Sequence, residues 1–459
     1  MDTRTERDSM GELQVPAKAL YQAQTQRAVQ NFQFSPYRLP EAFILALLQI
    51  KKAAAQANAE LGLLARPVAD AITAAAEAQL ADLDMQHYPV DVFQTGSGTS
   101  SNMNVNEVLA TLASSTLQQP VHPNDHVNLG QSSNDTIPTA LHVSAAMQLE
   151  KQLLPALTQL QQALANKSQQ LTGQIKTGRT HLMDAMPVSF SQVLDGWHAQ
   201  LQHAAQNLRQ QQVALQALAQ GGTAVGTGVN ADPRFAALFC QQLSSQTGIA
   251  FSPAVNFFAA MGAQDTVVAS SGALKTLAVA LMKISNDLRW MNSGPLSGLA
   301  EIELPALQPG SSIMPGKVNP VIPEAVCMAC AQVIGNDSTI TLAGQSGNFE
   351  LNVMLPLLAH NLLQSISLLA NSCSALAEKA ISGFSVRSDN LARNLALNPV
   401  LVTALNPLIG YSKAAAIAKQ AYQQQRPVID VALEHTNFSR EELEQLLNPA
   451  HLCQGGNAS

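Results

Sequence analysis

The stretch ALKTLAVALMKISNDL, residues 273–288, places its large apolar residues at helical spacing. Five of them follow one another at steps of 3, 4, 3 and 4 residues. This spacing lines one face of a helix and is typical of a seam between packed helices. The five residues are Leu274, Leu277, Leu281, Ile284 and Leu288.

The same spacing recurs on both sides of this stretch. One run comprises Leu153, Leu157, Leu160 and Leu164, and the other comprises Leu351, Leu355, Leu358, Leu362, Ile366 and Leu369. Segments in which Val and Ile alternate strictly with polar residues are scarce. The sequence therefore predicts a mainly α protein built from long helices that pack against one another.

The composition sets limits on partners. The chain has 459 residues, of which 46% are hydrophobic and only 12% are charged, so a large core is possible and the charged surface is thin. A thin charged surface on a long chain suggests apolar faces buried between subunits. The net charge of −7 argues against nucleic acid as a partner. An anionic substrate would need a local cluster of positive groups.

The N-terminal segment MDTRTERDSMGELQVP is charged and lacks the apolar stretch of a secretory signal. Because no uninterrupted run of 18 apolar residues occurs, we expect no membrane span. The five cysteines are odd in number and scattered, which fits a reducing cytoplasm. The pair Cys327 and Cys330 stands alone in an apolar segment, so we expect buried thiols there rather than a zinc or redox site.

Changes in pattern along the chain suggest three domains. A region of polar loops ends near residue 135, long helices continue to about residue 385, and a smaller helical region follows. The predicted domains are an N-terminal domain with ligand loops (1–135), a central helical-bundle domain (136–385) and a small C-terminal helical domain (386–459).

The segment PGSSIMPGKVNPVIPE, residues 309–324, cannot be a regular helix because it contains four prolines and two glycines. It holds two hydroxyls, an ammonium and an amide. It is not a P-loop, since five residues separate Gly310 from Gly316 and Val318 follows the lysine. The hypothesis that this loop binds a carboxylate remains, with Lys317 and Asn319 as the residues that hold it.

Two further polar segments could bind an anion. In QTGSGTSSNMN, residues 94–104, glycines flank Ser97 and would let backbone amides approach a ligand, although an ordinary turn explains the pattern equally well. In HPNDHVNLGQSSND, residues 122–135, Ser132, Ser133 and Asn134 precede a helix. Helix capping explains these residues adequately, and a capped helix start is also a ready anion site.

A fourth polar segment, TGRTHLMD, carries Thr180 and His181 beside an arginine. A lone histidine is more often structural than catalytic. The polar, glycine-flanked setting of His181 nevertheless favours a proton shuttle, provided that a carboxylate orients the imidazole. Spacing alone does not identify that carboxylate.

Together, these motifs in their order resemble the fumarase/aspartase superfamily, and class II fumarases in particular. The resemblance runs from about Asp8 to near Leu447 and also rests on GGTAVGTGVN, SGNFELNV and LVTALNPLIGY. It implies a three-domain, mainly α protomer whose central long helices join those of three other subunits in one bundle. It also implies active sites built from three chains of a cytoplasmic homotetramer, with no metal or organic cofactor, no nucleic acid and no membrane.

The resemblance implies a lyase of the tricarboxylic acid cycle, a fumarate hydratase that adds water reversibly and anti to fumarate, giving (S)-malate through an aci-carboxylate carbanion. Ser311 would be the base at C3, and His181, polarised by Glu324, would handle the proton of the water. A serine base needs positive charge and N–H donors that favour its ionised form. The implied binding residues are Ser97, Gly98, Thr99, Ser132, Ser133, Asn134, Thr180, Ser312, Lys317, Val318 and Asn319. A secondary dicarboxylate site would comprise His122, Pro123, Asn124 and Asp125.

The sequence departs from the family pattern in several places, including the short segment STLQQPVHPND, which lacks a basic residue, and LPALQPG near the loop 309–320. Leu129 and Gly130 replace a basic residue and a serine after the proposed secondary site, and Leu296 replaces an arginine. Two rival functions remain open. An aspartase-type ammonia lyase would use the same carbanion chemistry and expel an amine, whereas a structural relative would keep the fold without catalysis.

Overall fold

The computed structural model describes residues 2–455, of which most are helical, in agreement with the predicted mainly α class. The α-helices of this part of the chain are α1 (Ala23–Asn31), α2 (Glu41–Glu60), α3 (Arg66–Ala81), α4 (Thr99–Leu117), α5 (Ser133–Gln148), α6 (Leu154–Gln170), α7 (Phe190–Leu215), α8 (Phe235–Thr247), α9 (Phe257–Gly262), α10 (Asp265–Met291), α11 (Val321–Gly344), α12 (Leu355–Leu376), α13 (Ser388–Leu397), α14 (Asn406–Ile409), α15 (Tyr411–Gln424), α16 (Val428–His435), α17 (Arg440–Leu446) and α18 (Pro449–Leu452).

The strands within residues 2–455 are short and pair two by two. They are β1 (Thr3–Asp8), β2 (Gly11–Pro16), β3 (Ile175–Thr180), β4 (Met183–Ser189), β5 (Ala217–Leu218), β6 (Ser252–Pro253), β7 (Ile302–Glu303), β8 (Gly347–Asn348), β9 (Leu351–Asn352) and β10 (Ser385–Val386). The pairs β1–β2, β3–β4, β7–β10 and β8–β9 are antiparallel, and β5–β6 is parallel. The hairpin β3–β4 carries His181 at its turn.

The chain divides into two compact units. One unit comprises Met1–Pro155, Ala204–Ala278 and Ala329–Asn371. The other comprises Ala156–His203, Val279–Met328 and Ser372–Ser459. The predicted boundaries of three domains at residues 135 and 385 stay a prediction.

In the first unit, α2 is the central helix and packs against α3, α5 and α8. Its apolar residues include Phe43, Leu47 and Ile50, whose side chains are fully buried. Burial of each such side chain contributes roughly 1.5–3 kcal/mol to stability. Alanines at positions 53, 54 and 57 are buried as well, which lets neighbouring helices approach α2 closely.

The leucine seams are confirmed. The five seam residues of α10 are at most 1% exposed, and the seam of α12 is buried from Leu355 onward. Leu351 does not belong to that helix, because it lies in β9. The reason is Asn352, whose side chain donates to the carbonyl of Ala343 at 2.9 Å and accepts from the amide of Met354 at 2.9 Å. This side chain ends the strand and starts the helix.

In the second unit, α13 to α18 follow β10, and most of them share an apolar cluster of their own. The cluster comprises Leu401, Val402, Leu405, Ala414, Ile417, Ala421, Val428, Val431, Ala432, Leu443 and Leu447. Helix α13 packs against β3, and helix α18 packs against β4. These helices therefore support the hairpin that carries His181.

Among the described residues, α10 is long and apolar enough to cross a membrane by length and composition alone. The core helices of soluble proteins pass the same test. Charged residues interrupt this helix, and one of them, Lys275, donates to Asp337 of α11 at 2.6 Å. Of the CxxC pair, Cys330 is buried as expected, whereas Cys327 is half-buried and its thiol lies 3.7 Å from Asn286 Oδ1.

Candidate active site

The N-terminus of α4 presents two of the predicted ligand hydroxyls. Ser97 Oγ and Thr99 Oγ1 lie 2.8 Å apart, on either side of Gly98, which is the N-cap of the helix. Gly98 has φ +73°, and a Cβ there would lie 2.9 Å from the side chain of Ile137. At Gly96 a Cβ would lie 1.7 Å from the carbonyl oxygen of Val353. Both glycines are therefore required by close packing beneath the hydroxyls.

The N-terminus of α5 is capped as the sequence predicts. Ser132 Oγ accepts from the amide of Asn134 at 3.2 Å, and the amide of Ser132 donates to Asp135 at 2.9 Å. The other carboxylate oxygen of Asp135 accepts from the amides of Gly221 at 3.0 Å and Thr223 at 2.8 Å. Burial raises the pKa of Asp135 to about 6. This carboxylate thus joins the start of α5 to the glycine-rich segment at 220–228.

A cavity of about 520 Å³ lies at the starts of these two helices. It is lined by Gln24, Thr99, Asn102, Met103, Asn124, Asn128, Gly130, Gln131, Ser132, Ser133, Asn134, Thr223, Ala224, Val229 and Asn230. None of these side chains is charged. Helix N-termini carry partial positive charge and orient N–H groups outward, so the cavity suits an anionic group.

The predicted secondary site lies on a short helical turn, Pro123–Val127, whose N-cap is His122. Asn124 and Asp125 are exposed, as is His122, and Asp125 Oδ2 lies 3.3 Å from His122 Nδ1. Asn124 also reaches the cavity described above. The turn is therefore continuous with the loop that leads to Ser132.

The segment 309–320 forms a closed loop, as expected, whereas residues 321–324 already belong to α11. The prediction of irregular structure was wrong for these four residues, because a proline is tolerated in the first turn of a helix. The amide of Gly310 donates to the carbonyl of Lys317 at 2.8 Å, and Asn319 Nδ2 donates to the carbonyl of Gly310 at 2.8 Å. Within the loop, Ser311 Oγ accepts from the amide of Ile313 at 3.2 Å and from the amide of Met314 at 3.0 Å. Two N–H donors therefore point at one serine oxygen.

The side chain of Lys317 is exposed and lines two cavities. One, of about 630 Å³, also exposes Asn319 and Glu324 together with the two guanidinium groups of Arg289 and Arg387. The other, of about 470 Å³, exposes Ser311. Within the described chain, the Lys317 ammonium has no carboxylate partner within 4.0 Å. It is thus available to an anion from outside the chain.

His181 lies at the exposed tip of the hairpin β3–β4. Thr180 pairs with Met183, so His181 and Leu182 form a two-residue turn with φ of +57° and +60°. Two residues before His181, Arg179 Nη2 donates at 2.7 Å to Glu301, which is 1% exposed. This buried contact holds the strand next to the turn, and the exposed turn presents the imidazole outward.

Lys176 is the second cation beside Glu301, with its Nζ 3.2 Å from Glu301 Oε2. Burial lowers the pKa of Lys176, and the negative charge of Glu301 opposes that shift. A buried carboxylate therefore holds two cations of the same strand.

The predicted site residues fall into two sets, one in each compact unit. The first set comprises Ser97, Gly98, Thr99, His122, Pro123, Asn124, Asp125, Ser132, Ser133 and Asn134, and the second comprises Thr180, His181, Ser311, Ser312, Lys317, Val318, Asn319 and Glu324. Within one described chain, no hydrogen bond or ion pair joins His181 to Glu324. Neither of the two cavities at Lys317 is lined by Thr180 or His181.

Sequence reasoning missed Lys51, Asp135 and Glu301, which support these loops. A signal for Lys51 was available, because it occupies a position on the apolar stripe of α2 between Leu47 and Ala55. A charged residue on a buried helical face requires a polar partner. The amides of Gly221 and Thr223 that bind Asp135, and the Arg179 guanidinium that binds Glu301, are distant in sequence and left no comparable signal.

The comparisons with known proteins agree with this geometry. A family model described as lyase matches residues 11–335, and one described as fumarase C C-terminus matches residues 401–454. A protein of Pseudomonas aeruginosa named fumarate hydratase class II 2 is 64% identical over 455 residues, which cover 99% of each chain. The chain belongs to the class II fumarate hydratase family. The family resemblance inferred from the motifs is thereby confirmed.

Two further members of the class II fumarate hydratase family extend the comparison. The fumarate hydratase class II of Xylella fastidiosa strain 9a5c is 56% identical over 453 residues, 99% of this chain and 96% of that protein. The crystal structure of the class II fumarase from Schistosoma mansoni superimposes with a TM-score of 0.95 at 38% identity, over 98% of this chain and 99% of that one. The fumarase-like fold is therefore confirmed.

Proposed function

We infer that this chain is a fumarate hydratase, a hydro-lyase that adds water reversibly to fumarate to give (S)-malate. The family membership supports the reaction, and one structural observation supports Ser311 as its base. Ser311 Oγ accepts two backbone N–H donors in a loop that also exposes Lys317. Donors of this kind stabilise a negative oxygen, so they favour the ionised hydroxyl that a serine base requires.

The difficult step in the malate direction is removal of a proton from C3. The adjacent carboxylate is already negative, so the electron pair left on C3 must pass into that carboxylate as an aci-acid. Donors and cations placed in advance stabilise such a charge. Ser311 takes the C3 proton, and Lys317 and Asn319 hold the carboxylate that receives the electrons.

Loss of water completes the reaction. The electron pair returns from the aci-carboxylate to form the C2–C3 double bond, and the C2 hydroxyl departs. His181 protonates this departing hydroxyl as water leaves, and in the reverse direction it takes the proton from the attacking water. Glu324 polarises His181, and this contact requires a second copy of the chain because one chain does not join the two residues.

The remaining predicted residues bind the substrate carboxylates. Hydroxyl and amide donors at the starts of α4 and α5 face a cavity with no charged lining residue, which suits a carboxylate. Thr99, Ser132, Ser133 and Asn134 line this cavity, and the two further predicted residues, Ser97 and Gly98, immediately precede Thr99 in the chain. Thr180, Ser312 and Val318 are the remaining substrate-binding residues, and residues 122–125 form a secondary dicarboxylate site.

An uncharged exposed stripe on α11 supports assembly into a homotetramer. Met328 is 69% exposed and Leu342 is 62% exposed in the single chain, and the exposed positions between them include Gly335 and Ser338. Exposed helical faces with large apolar and small uncharged residues are typical of contacts between subunits. We propose that four copies join through these helices in the cytoplasm and that three chains build each active site, without a metal or organic cofactor.

A turnover assay on purified protein tests this function. Fumarate is offered alone and then together with ammonia, each time with and without EDTA. We expect malate in both cases at a rate that EDTA does not change. Aspartate without malate would establish an ammonia lyase instead, and the absence of both products would establish a structural relative.

A further inference from the structure

Lys51 of α2 is a buried cation without a carboxylate in contact. Its side chain is 0% exposed, and its Nζ donates to Asn128 Oδ1 at 3.0 Å and to Gln131 Oε1 at 2.9 Å. Both acceptors are neutral amides. Burying a charge without an ion pair is costly, so such a residue needs an explanation beyond packing.

The acceptors of Lys51 lead directly to the carboxylate cavity. Asn128 Oδ1 also accepts from Asn102 Nδ2 at 3.1 Å, and the same Asn102 Nδ2 lies 3.0 Å from Ser133 Oγ. Gln131 immediately precedes Ser132. Asn102, Asn128, Gln131 and Ser133 all line the cavity, whereas Lys51 lies behind them.

Asn128 is the centre of this network. Its Oδ1 accepts a third donor, Asn106 Nδ2, at 3.2 Å, and its own Nδ2 donates to the carbonyl of Gln131 at 3.1 Å. Three donors converge on one amide oxygen, and one of them is charged. Hydrogen bonds to a charged group are stronger than those between neutral groups, so Lys51 contributes most to holding this amide.

The charge of Lys51 is only partly balanced. Asp135 is the buried carboxylate whose charge acts on Lys51, but its oxygens accept from the backbone amides of Ser132, Gly221 and Thr223. Burial lowers the pKa of Lys51 to about 7, and the charge of Asp135 opposes that shift. A substrate carboxylate in the cavity would favour the charged ammonium in the same way.

We propose that Lys51 is a positioning residue for substrate binding, which fixes the loop 128–133 through Asn128 and Gln131 and places a positive charge behind the carboxylate cavity. This inference rests on the proposed hydration of fumarate, since the ligand is the dicarboxylate substrate. Lys51 does not touch the substrate. It acts through the side-chain amides and the hydroxyl that line the cavity and touch the substrate.

The test replaces Lys51 by methionine, an uncharged side chain of similar length that suits an apolar helix face. We expect the KM for fumarate to rise at least about 10-fold, the loss that follows when one charge-assisted hydrogen bond no longer orders the binding loop. The kcat should change much less, because Ser311 and His181 remain in place. Inhibition by succinate, a dicarboxylate that cannot be hydrated, should weaken by the same factor.

Lys52→Met is the matched control. Lys52 lies next to Lys51 on α2, but its Nζ pairs with Glu77 on α3 at 2.7 Å. This variant removes the same charge from the same helix without touching the loop, so KM and succinate inhibition should stay at their original values. If Lys51→Met does not assemble, Lys51→Gln provides a second uncharged variant that keeps one donor.

The outcomes separate this inference from the proposed function. A wild-type enzyme that does not hydrate fumarate would refute the proposed function. An active wild-type enzyme whose Lys51→Met or Lys51→Gln variant keeps its KM and its succinate inhibition would overturn the role of Lys51. A fall in kcat alone, in proportion to lost folded protein, would also overturn it, because that result indicates a purely structural role.

Discussion

Glu301 Oε1 accepts a hydrogen bond of 2.7 Å from Nη2 of Arg179, two residues before His181 in the chain. The carboxylate is 1% exposed, and Lys176 approaches it from the same strand. Strand β3 is therefore fixed at two points by one buried group. The exposed imidazole at the tip of the hairpin thus follows directly on a strand that is held by a buried carboxylate.

Replacing Glu301 by glutamine should destabilise the protein by about 3–5 kcal/mol, because two partly or fully buried cations lose their only shared carboxylate. Urea unfolding measures this change. Glu303→Gln is the control, since Glu303 lies two residues further along the chain, is exposed and pairs with the partly exposed Arg387. Its effect should stay below about 1 kcal/mol. Equal effects of the two substitutions would show that burial of the Glu301 pair is unimportant.

Ser311→Ala should reduce kcat by at least about 10²-fold, because the hydroxyl that removes the C3 proton is gone. Assembly and inhibition by succinate should remain, since the loop is closed by Gly310, Lys317 and Asn319. The neighbouring substitution Ser312→Ala should act mainly on KM. Near-normal turnover of Ser311→Ala would exclude Ser311 as the base.

His181→Asn should lower kcat by about 10²–10⁴-fold, the usual contribution of a general acid or base. Asparagine is the suitable replacement because it tolerates the positive φ that this turn requires. Leu182→Asn alters the other residue of the same turn and should leave kcat within a few-fold. A similar loss in both variants would point to the shape of the turn and not to the imidazole.

Lys51 should make stability depend on pH above neutrality. Its pKa falls from 10.5 in the unfolded chain to about 7 in the folded one, so between these values the unfolded chain binds a proton that the folded chain lacks. The contribution of Lys51 to the free energy of unfolding therefore rises with pH, by at most about 1.4 kcal/mol per pH unit. Urea unfolding at pH 7 and 9.5 measures it. The advantage of wild type over Lys51→Met should grow with pH, and parallel curves would contradict the assigned pKa.

Much of the fold could be predicted because it depends on local pattern. The leucines of α10 reveal their buried face through spacing alone, and Ser132 reveals the start of α5 through capping chemistry. The prolines and glycines of residues 309–320 likewise exclude regular structure locally. Each of these features depends on neighbours within a few residues.

The supporting residues of the site could not be predicted in the same way. Asp135 accepts from amides 86 and 88 residues away, and Glu301 binds a strand 122 residues away. Spacing carries no signal over such distances. Spacing also left open which carboxylate orients His181, and no hydrogen bond or ion pair joins His181 to Glu324 within one described chain.

The most direct test of the central claim is proton NMR of malate formed from fumarate in deuterium oxide, with EDTA present. Addition of water by a single base and a single acid on opposite faces predicts malate with one deuterium at C3, as one diastereomer, recognised by a single coupling between the protons on C2 and C3. Absence of malate, or a mixture of the two C3 diastereomers, would contradict anti hydration by this site.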